Sequence, residues 1–342
     1  MPRPTLRDVA TAAGVSLATV NRVLAEPHKV REATRLRVTE AARTIGFHGA
    51  GLLARQAVAA RPRLRLGVLV QTPHRPFTHG LRQALEDAAA AWPGAQLQLR
   101  VDVLDDLGPE QLAERLQALA DTVDALGLVV AEHPIVGEAI ARLIARGQPV
   151  IALVTPLSGP QPVPYVGLDG WKIGRMAGWT FGHLCRTPGP LGILVGTHRY
   201  RNQELAESGL RSWLREHGSG FTLLEPRSTF ESDAIAREMT EALLRRHPDL
   251  CGLYVAGGGV SGMLAAVRDS GRAGQLVTVG HELLPAMRAG LIDGSLSLAI
   301  AHPFAALAQA AIGQLVAAVQ GDSATAARSV IVPMEIHTRE TL

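Results

Sequence analysis

Over the first 45 residues apolar positions recur every three or four residues; from Leu64 onward they gather into short continuous runs. The change of period divides the chain into two kinds of structure. At the N-terminus, Val9, Ala10 and Ala13 form one stripe of a helix. Thr5-Leu6-Arg7-Asp8 opens that helix as a capping box, with Asp in the place more often held by Glu. Gly14 stops it. Ser16 is a natural N-cap for a second helix, because its hydroxyl accepts the free amide protons of the first turn. Val20, Val23 and Leu24 give this helix its apolar side, and the other side carries Leu17, Ala18, Asn21 and Arg22, which have no evident packing purpose. Two short helices joined by a tight glycine turn predict a helix-turn-helix, whose second helix sets its first residues against base edges in a DNA major groove. The alternative is a helical hairpin that only packs on something larger. A third helix is predicted over Val30–Ile45, burying Leu36, Val38, Ala41, Ala42 and Ile45 and showing Arg31, Arg35 and Arg43 on a basic face.

Residues 46–63 read as a linker, in which the Ala-rich Leu52–Ala60 can form a short helix that is marginal alone in water. Beyond it, apolar runs at Leu64–Val70, Leu97–Val101, Ala125–Val130, Val150–Val154, Leu191–Val195, Phe221–Leu224, Leu250–Val255 and Leu276–Val279 alternate with helical stretches. Continuous apolar strands between helices predict parallel sheets covered on both faces. Eight units are too many for one ordinary sheet, and they split four and four around the Pro-rich 156–164. The expected body is therefore two α/β lobes with a cleft between them, where ligands sit at the carboxyl ends of the strands.

Charge sharpens this division. The net charge of +3 hides a head of +8 in residues 1–66, with twelve Lys and Arg against four acids, and a body of −5. A basic head on an acidic body suits phosphate binding, since each neutralised phosphate releases condensed counterions. A solvated basic surface explains the charge but not its confinement to one end. No run of about eighteen apolar residues is present to span a membrane. The first residues, Met-Pro-Arg-Pro-Thr, lack the apolar core of a secretory signal. Cys185 and Cys251 have no paired spacing, which fits a reducing cytoplasm, and the histidines show no metal-ligand spacing.

Thr5-Leu6-Arg7-Asp8-Val9-Ala10, Ala13-Gly14-Val15-Ser16, Ala18-Thr19-Val20 and Arg22-Val23-Leu24 closely resemble the headpiece of the lactose-repressor (LacI) family. The resemblance implies a metabolite-responsive transcription factor: an N-terminal helix-turn-helix headpiece (1–48), a hinge (49–63) and a two-lobed periplasmic-binding-protein-like domain with parallel sheets (64–342). It places DNA contacts at Thr5 and Leu6, and at Ser16, Leu17, Ala18, Thr19, Asn21 and Arg22. Arg31 stands where the family usually has a capping Ser, so it offers charge to a phosphate instead. The family's hinge helix folds on DNA and wedges a Leu into the minor groove. Here Ala57 holds that place, leaving Leu52, Leu53 or Val58 to substitute.

A polyhydroxy ligand needs an aromatic ring for its apolar face and charged or amide groups for its hydroxyls. The strand ends offer Thr72, Arg75 and Phe77, then Asp169, then His198, Arg199, Arg201 and Asn202, then Phe230 and Glu231, and last His281 and Glu282. The resemblance supports Phe77, Asp169 and Phe230 by position and puts Glu282 where the family usually has Asp. Its ligand-gripping Arg is Ala206 here, a role that passes to Arg201 and Asn202. For any single residue a cap, a surface charge or a core ring explains it as well.

One rival reading uses Gly257-Gly258-Gly259-Val260-Ser261-Gly262, which fits GxGxxG after a strand, with Glu282 twenty residues further on. That is the dinucleotide fingerprint of an NAD-dependent oxidoreductase. It sits in the middle of the second lobe, and no hydride-transfer constellation accompanies it. Gly257 and its neighbours are better read as letting the backbone approach a small ligand, or as a tight turn. No hydrolase elbow, HExxH, CxxC or P-loop is present, and Asp105-Asp106 falls in a strand-to-helix loop. The expectation is a non-enzymatic regulator without cofactor or metal. It binds palindromic operator DNA and a sugar or polyol effector. No heptad tail follows the strand Val330–Pro333, so it is expected to be a homodimer.

Overall fold

The computed structural model describes residues 3–59, 61–71, 76–104, 108–159 and 161–342. The head begins with α1 (Leu6–Ala13), whose capping box forms as the sequence predicts: the Thr5 amide donates to Asp8 Oδ2 at 2.8 Å, and the Asp8 amide donates to Thr5 Oγ1 at 3.4 Å. The Thr5 amide, with the Thr5 hydroxyl that also donates to Asp8 Oδ2, holds the Asp8 carboxyl below its ordinary pKa. Gly14, at φ 63°, ends the helix in the left-handed conformation. α2 (Leu17–Ala25) is capped by Ser16 Oγ, which accepts the Thr19 amide proton at 3.1 Å. α3 (Glu32–Thr44) and α4 (Ala50–Ala59) complete the head. Val9, Ala10, Ala13, Val20, Val23, Val38, Ala42, Phe47 and Leu53 form its core.

Two expectations for the head are corrected. Leu36 is half exposed, and Arg35 takes the inward place one residue before it. Its guanidinium donates to the Pro27 carbonyl at 3.0 Å and to that of Val30, closing the turn between α2 and α3. Arg35 is thus an internal clamp, and Arg43 is paired with Glu40 at 2.6 Å, so two arginines of the expected basic face are engaged. Arg31, the N-cap of α3, makes no side-chain capping bond and stays exposed. Leu53 is fully buried in the head core, whereas Leu52 is exposed.

The body alternates strand and helix. Its first part runs β1 (Arg63–Gln71), α5 (Pro76–Ala90), β2 (Gln96–Leu104), α6 (Pro109–Ala120), β3 (Ala125–Val129), α7 (Pro134–Ala145), β4 (Val150–Leu153) and β5 (Tyr165–Gly167). The second runs α8 (Gly170–Leu184), β6 (Pro190–Val195), α9 (Arg201–His217), β7 (Thr222–Leu223), β8 (Arg227–Ser228), α10 (Asp233–Arg246), β9 (Gly252–Val255), α11 (Val260–Asp269), β10 (Val277–His281), α12 (Pro285–Asp293) and β11 (Leu298–Ala301). The chain then returns through α13 (Phe304–Val319), β12 (Val330–Ile331) and β13 (Glu335–His337).

Two sheets result, in the orders β12-β5-β4-β3-β1-β2 and β13-β11-β10-β9-β6-β7, with β8 also beside β6. The pairs β1–β3, β3–β4, β4–β5, β6–β9, β9–β10 and β10–β11 are parallel, and β13 joins β11 antiparallel. The eight expected runs fall four to each sheet, and further strands join them. The first sheet includes β5, which lies beyond the Pro-rich stretch, and takes its edge strand β12 from near the C-terminus, with Val330 opposite Val166. Each lobe has its own core, built around Leu116, Leu126 and Leu128 in the first and Leu253, Met263 and Leu264 in the second. Among the described residues no helix is long and apolar enough to cross a membrane.

Candidate functional site

The strands of both sheets end toward one cavity of about 600 Å³, lined by residues that follow β1, β4, β6, β8, β9, β10 and β11. Phe77 and Tyr200 line it, and Phe230 projects with 63% exposure. Gln71, Thr155, Asn202, Gln203, Glu231, Asp233, His281, Glu282 and His302 supply the polar groups. This mixture of rings and convergent hydrogen-bonding groups is what a small polar ligand requires.

The lining backbone is held in an uncommon shape. Among the described residues four non-glycine residues have φ in the left-handed region: Val154 (66°), Phe230 (49°), Glu231 (66°) and Glu282 (69°). All four line the cavity. For β-branched Val154 that conformation is strained, and such strain persists only where the surroundings over-determine it.

The glycine-rich loop is built into the second lobe. The Gly258 amide donates to Glu231 Oε2 at 2.9 Å, and Glu231 Oε1 accepts from Gln203 Nε2 at 2.7 Å. Gln203 Oε1 in turn accepts from the amides of Gly196 (2.7 Å) and Thr197 (3.1 Å). A Cβ at Gly257 would strike the Gln203 amide, so glycine is required there by a protein neighbour. A carboxylate thus occupies the amide that a dinucleotide's pyrophosphate would need, and its charge repels one. The fingerprint is a structural turn.

Glu282 and His302 form a buried pair, each 7% exposed. His302 Nδ1 lies 2.6 Å from Glu282 Oε1, and the His302 amide donates to Glu282 Oε2 at 3.1 Å. Phe77 meets the His302 ring edge-on at 5.4 Å. Beside them, Tyr254 Oη lies 2.8 Å from His281 Nε2, and burial pushes the His281 imidazole down to about 4.

Of the expected effector residues the structure brings Phe77, Asn202, Phe230, Gly257 and Glu282 to the cavity. Thr72 and Arg75 lie outside the described residues, as does Asp105-Asp106. Asp169 caps α8, accepting the Lys172 amide proton at 3.1 Å, and does not line the cavity. His198 points to Glu207 at 3.0 Å on the surface. Arg201 donates to Ser158 Oγ across the lobes. Next to it the Glu132 amide donates to the Arg199 carbonyl (2.7 Å), and Arg199 Nε donates to that of Glu132 (3.1 Å). These residues bridge the lobes beside the cavity. Sequence reasoning missed Gln203 and His302. His302 follows the apolar run Leu298–Ala301 by the same strand-end rule, so a signal was present; nothing marked Gln203.

In the head, Leu17, Ala18, Asn21 and Arg22 share the exposed face of α2, with Leu17 37% exposed, and Arg22 has no ion pair among the described residues. Thr5 is exposed, Leu6 packs partly on the core, and Ser16 and Thr19 bond to each other at the start of α2 (2.9 Å).

Two parallel-sheet lobes around a polar cavity, on a chain that opens with a helix-turn-helix, define a ligand-binding body joined to a regulator's DNA-binding head. Residues 66–323 match the family described as the periplasmic binding protein domain, and residues 5–49 match the bacterial regulatory proteins of the lacI family. The chain belongs to the periplasmic binding protein domain family, with the head of a lacI-family regulator. It is similar to the D-ribose/D-allose-binding protein of Pseudomonas aeruginosa, 30% identical over 145 residues, which cover 42% of this chain and 44% of that one. It is also similar to the maltose regulon regulatory protein MalI of Escherichia coli, 29% identical over 291 residues, 79% of this chain and 78% of that one. The match thus spans less than half the length of the first of these relatives. Among solved structures, a solute-binding protein of an ABC transporter from Burkholderia graminis, in complex with D-arabinose, superposes with TM-score 0.75 at 19% identity, covering 81% of this chain and 96% of that one. It shares the fold.

Proposed function

We propose that the protein is a transcriptional regulator that binds a palindromic operator as a homodimer and is controlled by a small sugar, polyol or related metabolite held between its lobes. In this reading residues 1–48 are the DNA-binding headpiece, 49–63 the hinge and 64–342 the effector-binding and dimerising body. It works in the cytoplasm and catalyses no reaction. The observation that carries the reading is the pairing, in one chain, of an unengaged α2 face with a cleft of rings and hydrogen-bonding groups. The relatives agree in kind: one is a binding protein for ribose and allose, the other a regulator of a maltose regulon. Effector binding changes the relative orientation of the lobes and so the spacing of two heads on the operator.

Gel shift with genomic fragments tests this. With six or more phosphates neutralised by the two basic heads, log affinity against log salt should fall with a slope of about −5 or steeper. A slope shallower than about −2 removes the DNA-binding reading. Arg22→Ala should cost about 1–3 kcal/mol on the specific site and little on random DNA, because Arg suits the paired acceptors of guanine. Equal losses on both would make Arg22 a phosphate contact.

A further inference from the structure

Two buried groups of the cleft offer a ligand unpaired acceptors. Within the Glu282–His302 pair the tautomer whose Nδ1 proton faces the carboxylate presents Nε2 as a hydrogen-bond acceptor. That Nε2 is buried and has no protein partner. The edge-on Phe77 ring and the Glu282 bonds together fix the plane in which its lone pair points. At the start of α9, Asn202 Oδ1 is also buried without a partner, while its backbone amide is occupied by Thr155 Oγ1 at 3.3 Å. Both residues line the cavity. Glu231, Asp233 and Glu282 line it too, and among the described lining residues there is no Lys or Arg.

We infer that the cleft reads its ligand through two buried acceptors, His302 Nε2 and Asn202 Oδ1, and so takes an uncharged, hydroxyl-donating effector and refuses the phosphorylated or carboxylated form of the same molecule. A buried acceptor left unpaired is costly until a donor reaches it. A hydroxyl supplies that proton. An ionised phosphate or carboxylate has none to give at its charged oxygens, and it brings negative charge against three carboxylates where water no longer screens them fully. The inference rests on the cleft being an effector site and adds the class of ligand that it accepts.

The full-length chain is titrated calorimetrically with neutral pentoses and hexoses, their phosphate esters and their uronic acids. At least one neutral sugar should bind, with its phosphate and its acid at least a hundredfold weaker. An ester or acid that binds as tightly as its neutral parent overturns the inference and leaves the effector reading standing. A chain that binds operator but no sugar of any set overturns the sugar-effector reading, and the inference with it. Asn202→Ala, which keeps the backbone bond to Thr155, and His302→Phe, which keeps a ring against Phe77, should each weaken the neutral sugar about tenfold. For each position one monodeoxy analogue should show the same loss on the native protein and no further loss on the variant. If both variants leave the ratio of deoxy to parent sugar unchanged and alter only the melting temperature, the two residues serve the fold and the inference fails.

Discussion

Glu282 and Phe230 both line the cleft, but the fold asks different things of them. Glu282 takes two bonds from His302 in a buried place, and an amide cannot accept both, since its NH2 would face one of the donors. Glu282→Gln should therefore cost about 1–3 kcal/mol of stability as well as effector affinity. Phe230 is exposed, so Phe230→Ala should change stability by no more than about 0.5 kcal/mol while weakening the effector several-fold through lost ring contact. Melting curves beside one effector titration check both, and a Phe230 variant that melts early would reverse the assignment. His281 sets a pH dependence. Its folded pKa of about 4 lies below the unfolded value, so the unfolded chain takes the proton first. Stability from this group is complete above about pH 6.5, falls as pH drops from there to about 4 by at most roughly 3 kcal/mol, and is flat below. Urea melts at several pH values on native protein and His281→Phe should show that slope in the first and its loss in the second. The strand-end rule made Phe77, Phe230 and Glu282 legible in the sequence because their places follow from local pattern. Gln203 was not legible, because its role depends on Glu231 and on backbone amides that only the folded lobe brings near.

Elements were legible where their own period carried them. α1 and α2 follow from a capping box, a Ser cap and a three-to-four spacing, all of which are local. α3 shows the limit: its spacing allows either Leu36 or Arg35 inward, and the carbonyls of Pro27 and Val30, which accept from the guanidinium, decide for the arginine. Strands of two or three residues, such as β5, β8 and β13, carry too few positions for any period and exist because a neighbouring strand pairs with them. α4 is the instructive element. Its ten residues are too few to be helical alone, and Leu53 anchors it in the head core. Leu53→Ala should cost about 2–5 kcal/mol of head stability and release α4. Amide exchange along α4 tests this; unchanged protection in the variant would mean that the helix stands on other contacts.

At the scale of the whole molecule, a two-fold operator needs two heads, so sedimentation at micromolar protein should give a dimer. A monomer or a tetramer there would revise the proposed assembly. The change from helical period to apolar runs announced a head and an α/β body, but the sequence pattern could not show that the lobes interleave along the chain. Strand β12 pairs with β5 through Val330 and Val166, and the Tyr165 amide donates to Ser329 Oγ at 3.1 Å. That pairing sets a timetable for synthesis. The head, in residues 3–59, can form as soon as they leave the ribosome, but β5 emerges long before its partner, because Val330 follows Val166 by 164 positions. At roughly 5–20 residues per second, the growing chain carries the open edge of its first sheet for about ten to thirty seconds. For that interval the nascent protein has a DNA-binding head and an unfinished body, and it is during its own birth that it is most exposed to pairing with the wrong strand.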